Sequence, residues 1–241
     1  MSLTRLSPSP LRKYREALSH LIFPRMCILC HNPLLAKEKG ICRHCTEKLP
    51  FTRIEGTKGN VVEQLFWGKV PIERAAALLN FRKGERPQKI LHYIKYRNAK
   101  DLAIHMGNVM GERLLQNGMM HDIDLIVPVP LHPRRLKKRG YNQSELIAQG
   151  IAQATGITRH SNILIRTTHT ETQTRKNRFD RFNNVNRVFE LDRPEHIAGK
   201  HILLVDDVIT TGSTLEACAD RLVAIPGTRV SVAALAMAMG Y

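Results

Sequence analysis

The chain has 241 residues, 43% of them hydrophobic, and its 37 Lys and Arg against 21 Asp and Glu give a formal net charge of +16. That length suits one α/β core plus a smaller module, and no stretch approaches the roughly 20 uninterrupted apolar residues of a membrane-spanning helix. The charge favours polyanionic partners, phosphorylated ligands or nucleic acid, though basic proteins are often simply basic.

Near the N-terminus, Arg5, Arg12, Lys13 and Arg15 are basic, but Pro8 and Pro10 interrupt them, and Leu21-Ile22-Phe23 is too short for the apolar core of a signal peptide. The expectation is a cytoplasmic protein in which residues 1–22 form a tail or helix. Residues 23–50 hold four of the five cysteines as Cys27-x-x-Cys30 and Cys42-x-x-Cys45. Two such knuckles place four thiolates around one tetrahedral ion, the pattern of a structural zinc ribbon. Competing readings are two disulfides, which a reducing cytosol disfavours, a redox pair, which needs only one knuckle, and an iron–sulfur cluster. His31 and His44 adjoin ligand cysteines and read as exposed loop residues, whereas Cys218 reads as a buried core thiol.

Residues 51–117 form a hood or connecting region. Within it Ala75 to Phe81 has the apolar run of a strand, and Arg86 to Tyr96 is helical. Asp101 to Gln116 spaces Leu102, Met106, Val109, Met110 and Leu114 as an amphipathic helix does. Residues 118–241 then alternate strands and helices: Leu125 to Val129, Gln143 to Thr155, Ile163 to Ile165, His201 to Val205, Ser213 to Ala224 and Val230 to Ala236. That order argues for a parallel α/β sheet.

Two loops carry the chemistry. The strand Ile202 to Val205 ends in Asp206 and Asp207. Val208-Ile209-Thr210-Thr211-Gly212-Ser213-Thr214 then turns into a helix beginning near Ser213. Its first free N–H groups, the positive end of its dipole and the Thr210, Thr211, Ser213 and Thr214 hydroxyls suit a phosphate dianion, with Gly212 free to take the turn's backbone angles. The aspartates suit a ribose diol, or waters on Mg²⁺. An ordinary helix cap beside a solvated strand end is the bland alternative. The second loop, after Asp124 to Val129, is proline-stiffened and cationic, with Arg134, Arg135, Lys137, Lys138 and Arg139 where open α/β sheets bind ligands; a pyrophosphate fits there, and so does a merely solvated charge run.

From Ile202 to Thr214 the sequence resembles the phosphoribosyl pyrophosphate loop of type I phosphoribosyltransferases. Two CxxC knuckles, PVPLHPRRLKKRGYNQSELIA, TQTRKNRFDRFNNV and LLVDDVITTGST, in this order, resemble the ComF/GntX family. The resemblance covers the chain from Cys27 onward. It implies a type I phosphoribosyltransferase-like parallel sheet with a small N-terminal zinc-ribbon domain holding Zn²⁺ on Cys27, Cys30, Cys42 and Cys45. It also implies a role in natural competence or the use of external DNA. By the same resemblance Asp206 and Asp207 hold the ribose diol, Thr210, Thr211, Gly212, Ser213 and Thr214 the 5-phosphate, and Arg134 with Arg135 the pyrophosphate, with Mg²⁺ accompanying it. Asn142 and Gln143 cap that loop.

Between Thr172 and Phe189, Arg175, Lys176, Arg178 and Arg181 interleave with Phe179 and Phe182. Cations that track a backbone and rings that stack on bases suit single-stranded DNA, although the rings also suit the buried face of a helix. Three functions follow: a competence protein that handles incoming single-stranded DNA and binds phosphoribosyl pyrophosphate, with DNA-uptake or recombination proteins as partners; an active phosphoribosyltransferase acting on a base or amine; and a nucleotide-sensing transcription regulator.

Overall fold

The computed structural model describes residues 24–167 and 188–238. The chain divides into two compact units, Met1–Lys48 and Leu49–Tyr241. In the first, a bridge between Met26 and Pro33 closes one knuckle and one between Lys39 and Ile41 the other. Both turns need left-handed backbone, at His31 (φ 61°) and Gly40 (φ 76°). Helix α1 (Arg43–Glu47) follows the third cysteine directly, with Cys42 at its N-cap.

In the second unit, β1 (Ala75–Phe81), β2 (Leu125–Pro128), β5 (His201–Ile209) and β6 (Arg229–Ala238) form one sheet in the order β1-β6-β5-β2, every neighbouring pair parallel. Parallel strands need helical crossovers, which bury both faces of the sheet. The apolar runs AAALL, LIVP and HILLV follow from that. One face carries Ala75, Val127, Ile202, Leu204, Val230 and Val232 against Leu215, Cys218 and Leu222 of helix α6 (Ser213–Val223). Cys218 is thus a core thiol, wholly buried, as expected. A separate antiparallel pair, β3 (Leu164–Arg166) with β4 (Phe189–Leu191), joins this layer through Leu164 and Phe189.

Helices α2 (Arg86–Tyr96), α3 (Lys100–Gln116) and α5 (Gln143–Thr155) supply the rest of the core with Ile90, Ile94, Leu102, Met106, Met110, Ile147 and Ile151, all buried. Residues 51–117, expected as a hood, therefore provide β1, α2 and α3. The α3–α5 contact is made by bare backbone. A Cβ on Gly107 would sit 2.2 Å from the Ile147 carbonyl oxygen, and one on Gly150 2.1 Å from that of Ile104. Gly150→Ala must therefore push two helices apart. We expect a loss of about 3 kcal/mol and a fall in Tm of roughly 6–12 °C, measured by thermal unfolding.

Two expectations need correction. Strand β5 does not end at Val205 but continues through both aspartates to Ile209, because β6 keeps pairing beside it, Asp206 with Ala234 and Ile209 with Met237. The cationic segment is not a plain loop but contains helix α4 (Pro133–Arg139). Its capping signals were in the sequence: Pro133 at the first turn, His132 accepting from the Arg134 N–H through Nδ1 at 3.2 Å, and Gly140 left-handed at φ 81°.

Candidate functional site

The end of β2 creates the site. Its last pair is Pro128 with Val205, so beyond Val205 strand β5 has β6 on one side and an open crevice on the other. The start of α5 closes the crevice from below. Asn142 ties the arriving loop by donating from Nδ2 to the Val129 carbonyl at 2.9 Å, and its Oδ1 accepts from the Ser144 N–H at 3.2 Å. The next two residues reach the aspartates: Gln143 Nε2 donates to Asp207 Oδ2 at 2.8 Å and Ser144 Oγ to Asp206 Oδ1 at 2.8 Å. From α2, Lys95 Nζ lies 3.0 Å from the same Asp207 oxygen.

Burial beside the negative Asp207 pushes the Asp206 carboxyl up to about 7, against the opposing pull of the Asp207 N–H, Ser144 and Lys95. A carboxyl raised above its unfolded value stabilises the fold below about pH 4, and that stability is lost as pH rises to about 7. Asp206→Asn removes the penalty. We expect the variant to be more stable than the parent at pH 8 by on the order of 2 kcal/mol, and to lose most of the pH dependence between 4 and 7, read from chemical denaturation.

The turn that follows has the geometry of an anion cradle. Gly212 is left-handed (φ 81°), which a side chain would strain, and α6 begins at Ser213. The first amide to bond back into the helix is that of Glu216, to the Gly212 carbonyl at 2.8 Å. Thr211 Oγ1 and Ser213 Oγ lie 3.0 Å apart at the rim.

The crevice has a volume of about 300 Å³, and Asp206, Asp207, Thr210, Thr214 and Arg135 line it. Thr211, Gly212 and Ser213 build the turn beside it. Arg134 is not among the lining residues; Arg139, one helical turn from Arg135, shares that residue's face and lines the crevice with it. Lys95, Tyr96 and Arg166 also line it and were not picked out from sequence. The basic run Lys89 to Lys100 was a signal for Lys95; Arg166 had none. Among the described residues, Arg139 Nη1, Arg166 Nε and Gln143 Oε1 are buried without a hydrogen-bond partner. Such atoms are costly unless something pairs with them. The segment with Arg175, Lys176, Arg178, Phe179, Arg181 and Phe182 lies outside the described residues.

The four ribbon cysteines converge, their sulfurs all within 4.8 Å of one another and Cys30 Sγ 3.7 Å from Cys42 Sγ. A zinc ion with bonds of about 2.3 Å to a tetrahedral thiolate set needs sulfurs roughly 3.8 Å apart, so the cluster fits one. Burial disfavours the Cys27 thiolate, but the backbone around Cys30, Cys42 and Leu29 outweighs it and holds the group at about 6. Burial and the neighbouring thiols push Cys45 up to about 12. His31 and His44 are exposed and outside the cluster.

At the opposite ends of the strands, His201 places Nε2 2.9 Å from Ser231 Oγ and Nδ1 3.0 Å from Asp122 Oδ2. The array has the composition of a hydrolytic triad, but Ser231 is 0% exposed, so no substrate reaches it. It joins the starts of β5 and β6.

Residues 136–240 match the phosphoribosyl transferase domain family, and residues 18–57 match the double zinc ribbon domain family. Competence protein F of Haemophilus influenzae is 37% identical over 206 residues, which span 78% of this chain and 86% of that protein. The chain belongs to the ComF/GntX family. A second similar protein, DNA utilization protein YhgH of Escherichia coli, is 29% identical over 217 residues, 84% of this chain and 92% of that one. This ComF/GntX chain has the parallel phosphoribosyltransferase-type α/β fold with an N-terminal double zinc ribbon. Among solved structures, glutamine phosphoribosylpyrophosphate amidotransferase from B. subtilis, complexed with ADP and GMP, is 22% identical over 60% of this chain, with a TM-score of 0.44. The chain spans 30% of that protein. No described helix is long and apolar enough to cross a membrane.

Proposed function

We propose that the crevice binds phosphoribosyl pyrophosphate or a related ribose phosphate, and that the protein uses this site in the cytoplasm while handling single-stranded DNA for natural transformation or DNA utilisation. The observation that carries the ligand reading is the carboxylate pair at Asp206 and Asp207, held by Ser144, Gln143 and Lys95 beside the start of α6. A diol donates to carboxylates, and a phosphate takes free helix N–H groups, so the two halves of the cradle ask for the two ends of one ribose 5-phosphate. Arg135 and Arg139 lie on the cationic side suited to pyrophosphate. Asp206 and Asp207, each with one carboxylate oxygen not engaged in the described hydrogen bonds, would hold Mg²⁺ accompanying the pyrophosphate, which would supply charge neutralisation there.

The DNA reading is supported by the net charge of +16 and by the names of the similar proteins, competence protein F and DNA utilization protein YhgH. Calorimetric titration with phosphoribosyl pyrophosphate and Mg²⁺, comparing the parent with the Asp206→Ala/Asp207→Ala variant, tests the ligand site. Phosphoribosyl transfer is a second reading, favoured by Arg135 and Arg139 where a leaving pyrophosphate would need charge. Pyrophosphate release across a panel of bases and amines separates transfer from binding alone.

A further inference from the structure

Next to the crevice is a second cavity of about 490 Å³, lined by Lys95, Tyr96, Asn98, Arg135, Lys138, Arg139 and Tyr141. Four of these, Lys95, Tyr96, Arg135 and Arg139, also line the crevice. No carboxylate is among the described lining residues, and of the shared cations only Lys95 has a described acidic partner, Asp207. Tyr96 is 68% exposed at the end of α2, with the Arg139 guanidinium 5.6 Å above its ring and His92 5.2 Å away. Arg139 Nη1 is buried and has no hydrogen-bond partner among the described residues.

We infer that this annex is a phosphate-and-base pocket for a single strand, and that a strand in it competes with a ribose phosphate in the crevice. The inference rests on the ligand reading given above and names a second ligand for the same cluster. An excess of cations without acids selects phosphate, whose charge Arg135, Lys138 and Arg139 meet with bidentate or single donors. A solvent-facing aromatic ring backed by a guanidinium is a platform on which any base stacks, whatever its identity. Tyr96 and Lys138 both face solvent, so a strand can enter and leave, whereas the crevice is closed below by α5. Because Arg135 and Arg139 serve both cavities, each anion reduces the positive charge left for the other, and this antagonism is reciprocal.

The experiment is fluorescence anisotropy of a labelled oligothymidylate on the full chain across a salt series, with phosphoribosyl pyrophosphate titrated separately by calorimetry. Lys138→Ala is expected to weaken oligonucleotide binding about fivefold and to flatten its salt dependence, while leaving the phosphoribosyl pyrophosphate affinity within about twofold, since Lys138 does not line the crevice. Tyr96→Ala should weaken strand binding about tenfold and Tyr96→Phe should restore it, because stacking uses the ring and not the hydroxyl. Saturating phosphoribosyl pyrophosphate should raise the apparent Kd for the strand. If the parent binds the strand but neither Lys138→Ala nor Tyr96→Ala weakens it, the annex is refuted while the DNA reading stands. If the parent binds no strand even at low salt, both fall. If thymidine 5′-monophosphate binds as tightly as the strand, the pocket belongs to a mononucleotide and the strand proposal is overturned.

Discussion

Replacing Asp206 and Asp207 together by alanine is expected to lower the affinity for phosphoribosyl pyrophosphate at least a hundredfold, measured by calorimetry with Mg²⁺ present. Hydrogen bonds to charged groups contribute about 1.5–3 kcal/mol each, so losing two carboxylates that accept from one diol accounts for a loss of that size. The selectivity of the loss is the sharper readout. Two carboxylates repel any anion, and removing them also releases Lys95 from its 3.0 Å contact with Asp207. Binding of bare pyrophosphate should therefore hold or improve in the variant, while the ribose-bearing ligand falls towards it. Asp207→Ala alone should cost less than the pair, because Asp206 still accepts from the diol, while the Lys95 ammonium is freed to meet the phosphates in either variant. Unchanged affinity in the double variant would sink the site, whatever the oligonucleotide experiments show. The helix α6 cradle remains intact in this variant, since Gly212 and Ser213 are untouched, so a loss cannot be assigned to a collapsed turn.

That site was only half legible from sequence, for reasons of distance along the chain. Asp206 to Thr214 form one contiguous segment, and a contiguous strand–turn–helix carries its own signature in Gly212 and the hydroxyls around it. Lys95, Ser144 and Gln143 reach the same aspartates from positions 62 to 112 residues away, where only the tertiary fold brings them together. Gln143 was read as a cap for its own loop, a local role, but it donates to Asp207. The sheet was more legible, because burial on both faces demands the apolar runs seen at Ala75 and Ile202. The same reasoning failed at the end of β5. Two carboxylates look like a strand end, but β6 continues alongside and pairs the backbone whatever the side chains are. Helix α4 was hidden by its charge: PRRLKKR has no buried residue and so no apolar period to read. Its face still decides which arginine lines the crevice, since Arg135 and Arg139 are one turn apart and Arg134 is not.

Removing the metal from the N-terminal unit should unfold that unit and spare the other. Apart from Ile41, the buried hydrophobic residues between Pro24 and Lys48 are Cys27, Cys42 and Cys45 themselves. Among the described residues of that unit one aliphatic side chain is buried, too little apolar burial to offset their chain entropy, so the cohesion of the knuckles must come from the four sulfurs around an ion. Structural zinc supplies about 10–16 kcal/mol in small zinc modules at neutral pH, far above what Ile41 provides. We expect about one zinc per chain by elemental analysis. A strong chelator, or Cys45→Ser, should erase hydrogen-exchange protection at Cys27 and Ile28, whose amides bond to Asn32 and Gly40. The amides of β5 and β6 should stay protected, because their core of Ile202, Leu204, Val230 and Val232 lies in the Leu49–Tyr241 unit. Cys218→Ala, a change in that same core, should leave the zinc content at one, which separates loss of a ligand from loss of a thiol. A metal-free chain that keeps protection at Cys27 would show that the knuckles fold without an ion, and the four-thiolate assignment would fail with it.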